Sequence, residues 1–207
     1  MSEIGLIRVG SNSYLTLRGW FCDMRLSNPA AEASLKEDSR FLLLGRVEMG
    51  NTLQNLVFQP PTVSYVDSKK EVHWVECGKV RIPLIFMNRS SPYTIIFSHG
   101  NAEDIGMCFE WFNRFSRKVA VNVVCYDYEG YGLAQGTPSE EKVYANIDAV
   151  YEYVLRAFDQ DPAKVILWGR SLGSGPSTYL AERLTKEGVK PAGLVLQSPP
   201  CSIFRVA

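Results

Sequence analysis

Histidine is scarce in this chain, with two in 207 residues, His73 and His99. General-base chemistry therefore has few places to sit. The five cysteines (Cys22, Cys77, Cys108, Cys125, Cys201) stand singly, odd in number, without the paired spacing of a zinc site or of a small disulfide framework. Reduced thiols in a cytoplasmic setting are expected, with no metal and no other cofactor. Net charge is missing as well, because 22 Lys and Arg balance 22 Asp and Glu. No global field draws the chain to nucleic acid, and partners have to be argued from sites. The apolar cluster Phe41-Leu42-Leu43-Leu44 falls far short of the roughly 18 residues that cross a bilayer. At the N-terminus no basic segment leads into an apolar one, and Ser2 stands where myristoylation needs glycine, so neither a secretion signal nor a co-translational lipid anchor is read.

What the chain does have is enough apolar material for one sizeable core: 46% of residues are hydrophobic against 21% charged. Residues 1–56 lack clear periodicity, apart from a helix-favouring stretch over 28–37, and read as an N-terminal extension without an assignable role. From Pro60-Pro61 onward the texture changes. Residues 62–66, 72–77 and 80–86 alternate and are rich in β-branched and aromatic side chains, which predicts antiparallel strands. Four short apolar runs follow at 93–97, 121–126, 165–168 and 194–196, each suited to a strand buried on both faces. Helical patterns separate them at 103–119, 139–158 and 173–187, with Ser139 placed to cap the second helix. Alternating strands and helices predict an α/β fold, a mostly parallel sheet with helices on both faces and antiparallel strands at its N-terminal edge. Such sheets hold their chemistry at the carboxyl ends of the strands.

Two of those ends carry a signal. After the run at 165–168 the sequence reads Gly169-Arg170-Ser171-Leu172-Gly173, a G-x-S-x-G pattern between a strand and a helix, where a nucleophilic serine sits on a sharp turn. Glycine two residues to either side removes side chains that would collide with neighbouring backbone. A phosphate-binding turn is the competing reading, and the G-x-G-x-x-G spacing it needs is absent. After the run at 93–97 comes Ser98-His99-Gly100-Asn101-Ala102. Acyl transfer places negative charge on a carbonyl oxygen, and two preorganised N–H groups must receive it. Leu172, following the nucleophile, supplies one, and Asn101 or alternatively Ala102 the other. His99 is read as orienting this loop rather than as the base, Asp127 as a hydrogen-bonding residue of a glycine-containing turn, and His73 as an edge or surface histidine.

The set His99-Gly100-Asn101-Ala102, Tyr126-Asp127-Tyr128-Glu129-Gly130-Tyr131-Gly132, Gly136-Thr137-Pro138-Ser139-Glu140, Gly169-Arg170-Ser171-Leu172-Gly173 and Leu196-Gln197-Ser198-Pro199 resembles one group, over residues 55–207. These are the α/β-hydrolase-domain proteins numbered seventeen, cytosolic enzymes that remove palmitate from cysteines, and more distantly their Bem46-like relatives. The resemblance implies Ser171 as nucleophile, the Leu172 and Asn101 region as oxyanion hole, and hydrolysis of a long-chain acyl thioester on an S-acylated protein or of another acyl ester. It makes residues 57–207 a partial α/β-hydrolase domain whose last strands are missing.

Two departures set further expectations. After Ser171 the acidic residues are Glu182 and Glu187 and no histidine follows, so the order Ser, Asp or Glu, His is not completed and turnover should be impaired. The alternatives are a non-catalytic lipid-cleft module, a gene fragment, or a chain destabilised by an apolar strand edge at 194–196. Members of the group carry a cysteine-rich, acylated N-terminal stretch, whereas this chain has Cys22 alone before Cys77; a peripheral membrane contact is thus an expectation without an evident anchor.

Overall fold

The computed structural model describes residues 57–67 and 72–200. The expectations for residues 1–56 and for 201–207 lie outside them. Six strands form one sheet: β1 (Val72–Cys77), β2 (Val80–Met87), β3 (Thr94–Ser98), β4 (Asn122–Tyr126), β5 (Val165–Arg170) and β6 (Gly193–Gln197), in the order β1-β2-β4-β3-β5-β6. β1 and β2 pair antiparallel, as does β2 with β4, and the rest of the sheet is parallel. β1 and β2 turn at Gly78, whose φ of 61° lies in the left-handed region that glycine adopts without a Cβ clash.

Among the described residues, three longer helices complete the layers: α1 (Ile105–Val119), α2 (Glu140–Ala157) and α3 (Ser174–Lys186). The first two start at side-chain caps. Asp104 caps α1 by accepting from Met107 N at 3.0 Å, while Arg117 and Lys118 face the negative end of its dipole. Ser139 caps α2 through Lys142 N at 3.3 Å, with Glu140 and Glu141 in the first turn.

Every residue of β3 and β4 is buried. Their alternation divides the core in two. Ile96, Val124 and Leu167 pack with Val143, Ile147, Val150 and Leu180 beneath α2 and α3. Ile95, Phe97, Val123, Cys125 and Trp168 pack with Ile105, Cys108 and Phe112 of α1 on the opposite face. Each fully buried aliphatic side chain contributes about 1.5–3 kcal/mol. Register matters for the site: Ser98 is level with Tyr126 on one side and with Gly169 on the other, so the loops leaving β3, β4 and β5 emerge together.

Two expectations need correction. Residues 62–66 are not a strand. Val63 and Val66 face solvent, and the segment is held by side chains: Ser64 N and Oγ donate to Asp104, and Tyr65 Oη donates to Asp127. It is a strap across the helix α1 entrance. Backbone at Gly106 fits beneath it so closely that a Cβ there would meet Ser64 Oγ at 2.4 Å. The strand at 194–196 exists, as β6, but none of its five residues is fully buried, unlike those of β3 and β4. It pairs with β5 on one side only.

Candidate active site

β5 runs into a single 3-10 turn, Ser171–Gly173, and then directly into α3. Ser171 sits at φ 49°, a left-handed conformation unfavourable for a residue with a Cβ and concentrated at functional turns. The flanking glycines are obligatory on steric grounds. A Cβ on Gly169 would lie 2.2 Å from Gly173 O, and one on Gly173 would lie 2.0 Å from Ser98 O and 2.8 Å from His99 O. The serine turn is thus pressed against its own backbone and against the loop leaving β3. Leu172, 2% exposed, is the second residue of the turn, where a backbone N–H has no intrahelical acceptor.

That neighbouring loop is fixed by side chains. Asn101 Oδ1 accepts from Gln59 N at 2.9 Å and Tyr131 Oη at 2.6 Å, while its Nδ2 donates to Val57 O at 2.6 Å. His99 O accepts from Tyr128 Oη at 2.8 Å. Glu103 Oε2 accepts Gly100 N at 2.8 Å and, from the other side, the guanidinium of Arg170. With the Gly100 amide committed, the amides of Asn101 and Ala102 are the loop's remaining candidates for a substrate oxygen.

His99 is 1% exposed and packs with tilted rings against Tyr128 and Tyr131 at centroid distances of 4.2 and 5.4 Å. Its Nδ1 bonds Gly100 O at 2.7 Å, which fixes the Nδ1–H tautomer. Nε2 faces Asp127 Oδ1 at 3.4 Å without a hydrogen bond. Burial pulls the imidazole down to about 4 and pushes the Asp127 carboxyl up to about 7, although Tyr65 and Ile105 N donate to that carboxyl. The two groups are therefore neutral together over the mildly acidic range. Asp127 also fills the space beneath Gly132, where a Cβ would meet Oδ2 at 1.8 Å. His73 lies on the edge strand β1, half-buried against Tyr153 and Phe158 of the α2 end, with Nδ1 3.3 Å from Tyr153 Oη. Among the described residues, neither histidine bonds to Ser171.

The structure thus brings Ser171, Leu172, Asn101 and Ala102 to one end of the sheet, since β3 and β5 are paired in register there. It adds residues that motif reading missed: Arg170 and Glu103, Tyr65, Tyr128 and Tyr131. Arg170 occupies a variable position of the serine motif. Tyr65 was hidden in a strand-like pattern. Neither carries a local signal of its partner.

The nucleophile-type turn on a mostly parallel, helix-flanked sheet defines an α/β hydrolase, and the chain belongs to the α/β-hydrolase fold family, whose model matches residues 93–206. Within that family it is 39% identical over 118 residues to mouse alpha/beta hydrolase domain-containing protein 17C, covering 57% of this chain and 35% of the relative. It is 36% identical over 148 residues to the 17B protein of Xenopus laevis, covering 68% of this chain and 50% of the relative. The matches therefore span about a third to a half of the length of these curated relatives. A crystal structure of an α/β hydrolase from Vibrio vulnificus shares the fold, with TM-score 0.55, 19% identity, and coverage of 82% of this chain and 58% of that one.

Proposed function

We propose that this chain carries the nucleophile half of a serine hydrolase acting on acyl thioesters and esters, with an S-acylated protein, palmitoylated on cysteine, as substrate. The observation that supports it most is Ser171 held at φ 49° directly after β5 between two glycines that no other residue can replace. In this reading Ser171 Oγ attacks the acyl carbonyl, and the N–H groups of Leu172 and of Asn101 or Ala102 receive the oxyanion. The tetrahedral species collapses with release of the cysteine thiolate, and water then cleaves the acyl-serine ester. Similarity to the numbered-seventeen hydrolases favours the thioester over other acyl substrates. Such a substrate is presented at a membrane surface, so a cytoplasmic protein with a peripheral contact belongs to the same proposal. Among the described residues, no helix is long and apolar enough to cross a membrane.

Attack requires that the serine proton be accepted, and His99 is turned away with one nitrogen on Gly100 O and the other toward Asp127. This favours impaired turnover in the 207 residues themselves, and with it a second reading, an acyl-binding module without catalysis. Labelling by a fluorophosphonate probe, compared between wild type and Ser171→Ala, separates them. Labelling lost in the variant supports the hydrolase; folded wild-type protein that stays unlabelled while binding a palmitoyl peptide supports the module.

A further inference from the structure

Arg170 directly precedes Ser171 and ends β5. Its guanidinium lies 5.5 Å from the centroid of the Phe97 ring and reaches across the sheet end to Glu103, with Nε 3.0 Å from Glu103 Oε2 and Nη2 donating to the same oxygen. That oxygen also accepts Gly100 N at 2.8 Å. One carboxylate oxygen therefore joins an amide of the loop after β3 to the residue beside the serine. Gly100 permits this closure, because a Cβ there would stand 3.0 Å from Glu103 Oε2. Both side chains are only partly exposed, Arg170 at 33% and Glu103 at 26%, so solvent screens the pair incompletely.

This arrangement carries an electrostatic problem and its answer. A carboxylate within three residues of amides that are to receive an oxyanion opposes the charge that develops there. The Arg170 guanidinium offsets it. We propose that Arg170 and Glu103 are positioning residues of the site: they lock the loop bearing Asn101 and Ala102 to the serine turn, and Arg170 neutralises Glu103 so that the oxyanion can form. The inference rests on the serine-hydrolase reading for its kinetic consequence, and on geometry alone for the locking.

The two roles give a signature that simple loss of structure does not. Arg170→Gln leaves an uncompensated carboxylate beside the oxyanion donors. Glu103→Gln removes that charge yet keeps a side-chain oxygen able to accept Gly100 N. Fluorophosphonate labelling of Ser171 in the full chain should slow about 30-fold in R170Q, short of the roughly 10²–10³-fold cost of deleting an oxyanion donor itself. In E103Q it should slow only a few-fold, about 3-fold at most for a neutral acceptor in the same place. The double variant should return from the R170Q rate toward the E103Q rate, and Arg170→Lys, which restores charge without the fork, should fall between wild type and R170Q.

Amide exchange of Gly100, followed by NMR, tests the locking without any need for reactivity. It should accelerate about ten-fold or more in R170Q as the hydrogen bond to Glu103 loosens, while amides within β3 and β4 are unchanged. If wild-type Ser171 does not react, the hydrolase reading falls and the exchange data still decide the positioning role. A double variant slower than R170Q would overturn the charge-offset role. Gly100 exchange in R170Q within about two-fold of wild type, at constant global stability, would overturn the locking.

Discussion

The two loops that meet at the carboxyl end of the sheet are built on opposite principles. At 169–173 the turn is set by backbone sterics: glycines whose Cβ atoms would strike carbonyl groups, and a serine at positive φ. At 98–104 the backbone is ordinary, and side chains hold it, with Asn101 bound to Val57 and Gln59 in the segment leading into the strap, Glu103 to Arg170, and Asp104 to Ser64 and the α1 terminus. The first loop is stiff because alternatives clash. The second is stiff only while polar partners stay paired, which makes it the tunable half of the site.

The largest effect should come from breaking the steric half. Gly173→Ala puts a Cβ 2.0 Å from Ser98 O, and neither the turn nor β3 can yield without losing sheet pairing. A cost of at least about 3 kcal/mol is expected, at the upper end of overpacking penalties. Gly78→Ala is the matched control. It has positive φ but open space around it, so only conformational strain of about 1–2 kcal/mol applies. Urea unfolding midpoints of the two variants should separate accordingly, and equal midpoints would refute the steric account of the serine turn.

This contrast also explains what was legible in the sequence. The serine turn is written in five consecutive residues, and β3, β4 and β5 in apolar runs that mark strands buried on both faces, so those features were readable. The loop at 98–104 was readable only as a place. Its partners lie far away in sequence: Glu103 and Arg170 are 67 residues apart, Asn101 and Val57 are 44, and Tyr65 and Asp127 are 62. No local pattern encodes such pairs. Residues 62–66 misled for the same reason, because alternation of Thr62 and Ser64 with Val63 and Tyr65 resembles a strand until Asp104 and Asp127 are seen to claim the Ser64 and Tyr65 polar groups. The β6 run announced an apolar strand and its open edge, but not that none of its five residues would be fully buried.

A pH experiment sharpens the polar half. Asp127 ordinarily titrates at 3.8 and is raised by burial to about 7, so the folded chain keeps a proton that the unfolded chain has released. Its contribution to stability is present at low pH and is lost as pH rises toward 7. His99 ordinarily titrates at 6.5 and is lowered by burial to about 4. Its contribution is present above 6.5 and is lost as pH falls toward 4. Over this window the two slopes oppose each other. Asp127→Asn removes one of them, so stability of the variant should climb with pH between 4 and 6.5 more steeply than wild type, by up to about 1 kcal/mol per pH unit. Unfolding curves at a series of pH values measure the difference; parallel profiles would mean that the pair does not titrate as buried neutral groups.

The gentlest test removes one side chain from the polar half and asks how far the damage spreads. Asn101→Ala deletes two acceptor contacts and one donor contact at once, freeing Gln59 N, Tyr131 Oη and Val57 O from this partner. Gln59 is exposed and Val57 half-buried, so water replaces part of what is lost there, while Tyr131 is buried; a net cost of about 1–2 kcal/mol is expected rather than the sum of three buried bonds. The strap has no ladder of its own to fall back on, so the loss should appear there first, as faster amide exchange at Gln59 and Ser64 with the amides of β5 unaffected. Val66→Ser, at a side chain 81% exposed on the same strap, should change stability by less than about 0.5 kcal/mol. If Asn101→Ala proves equally silent, the strap is held by its other contacts, those of Ser64 and Tyr65 among them, and Asn101 serves the site through its backbone.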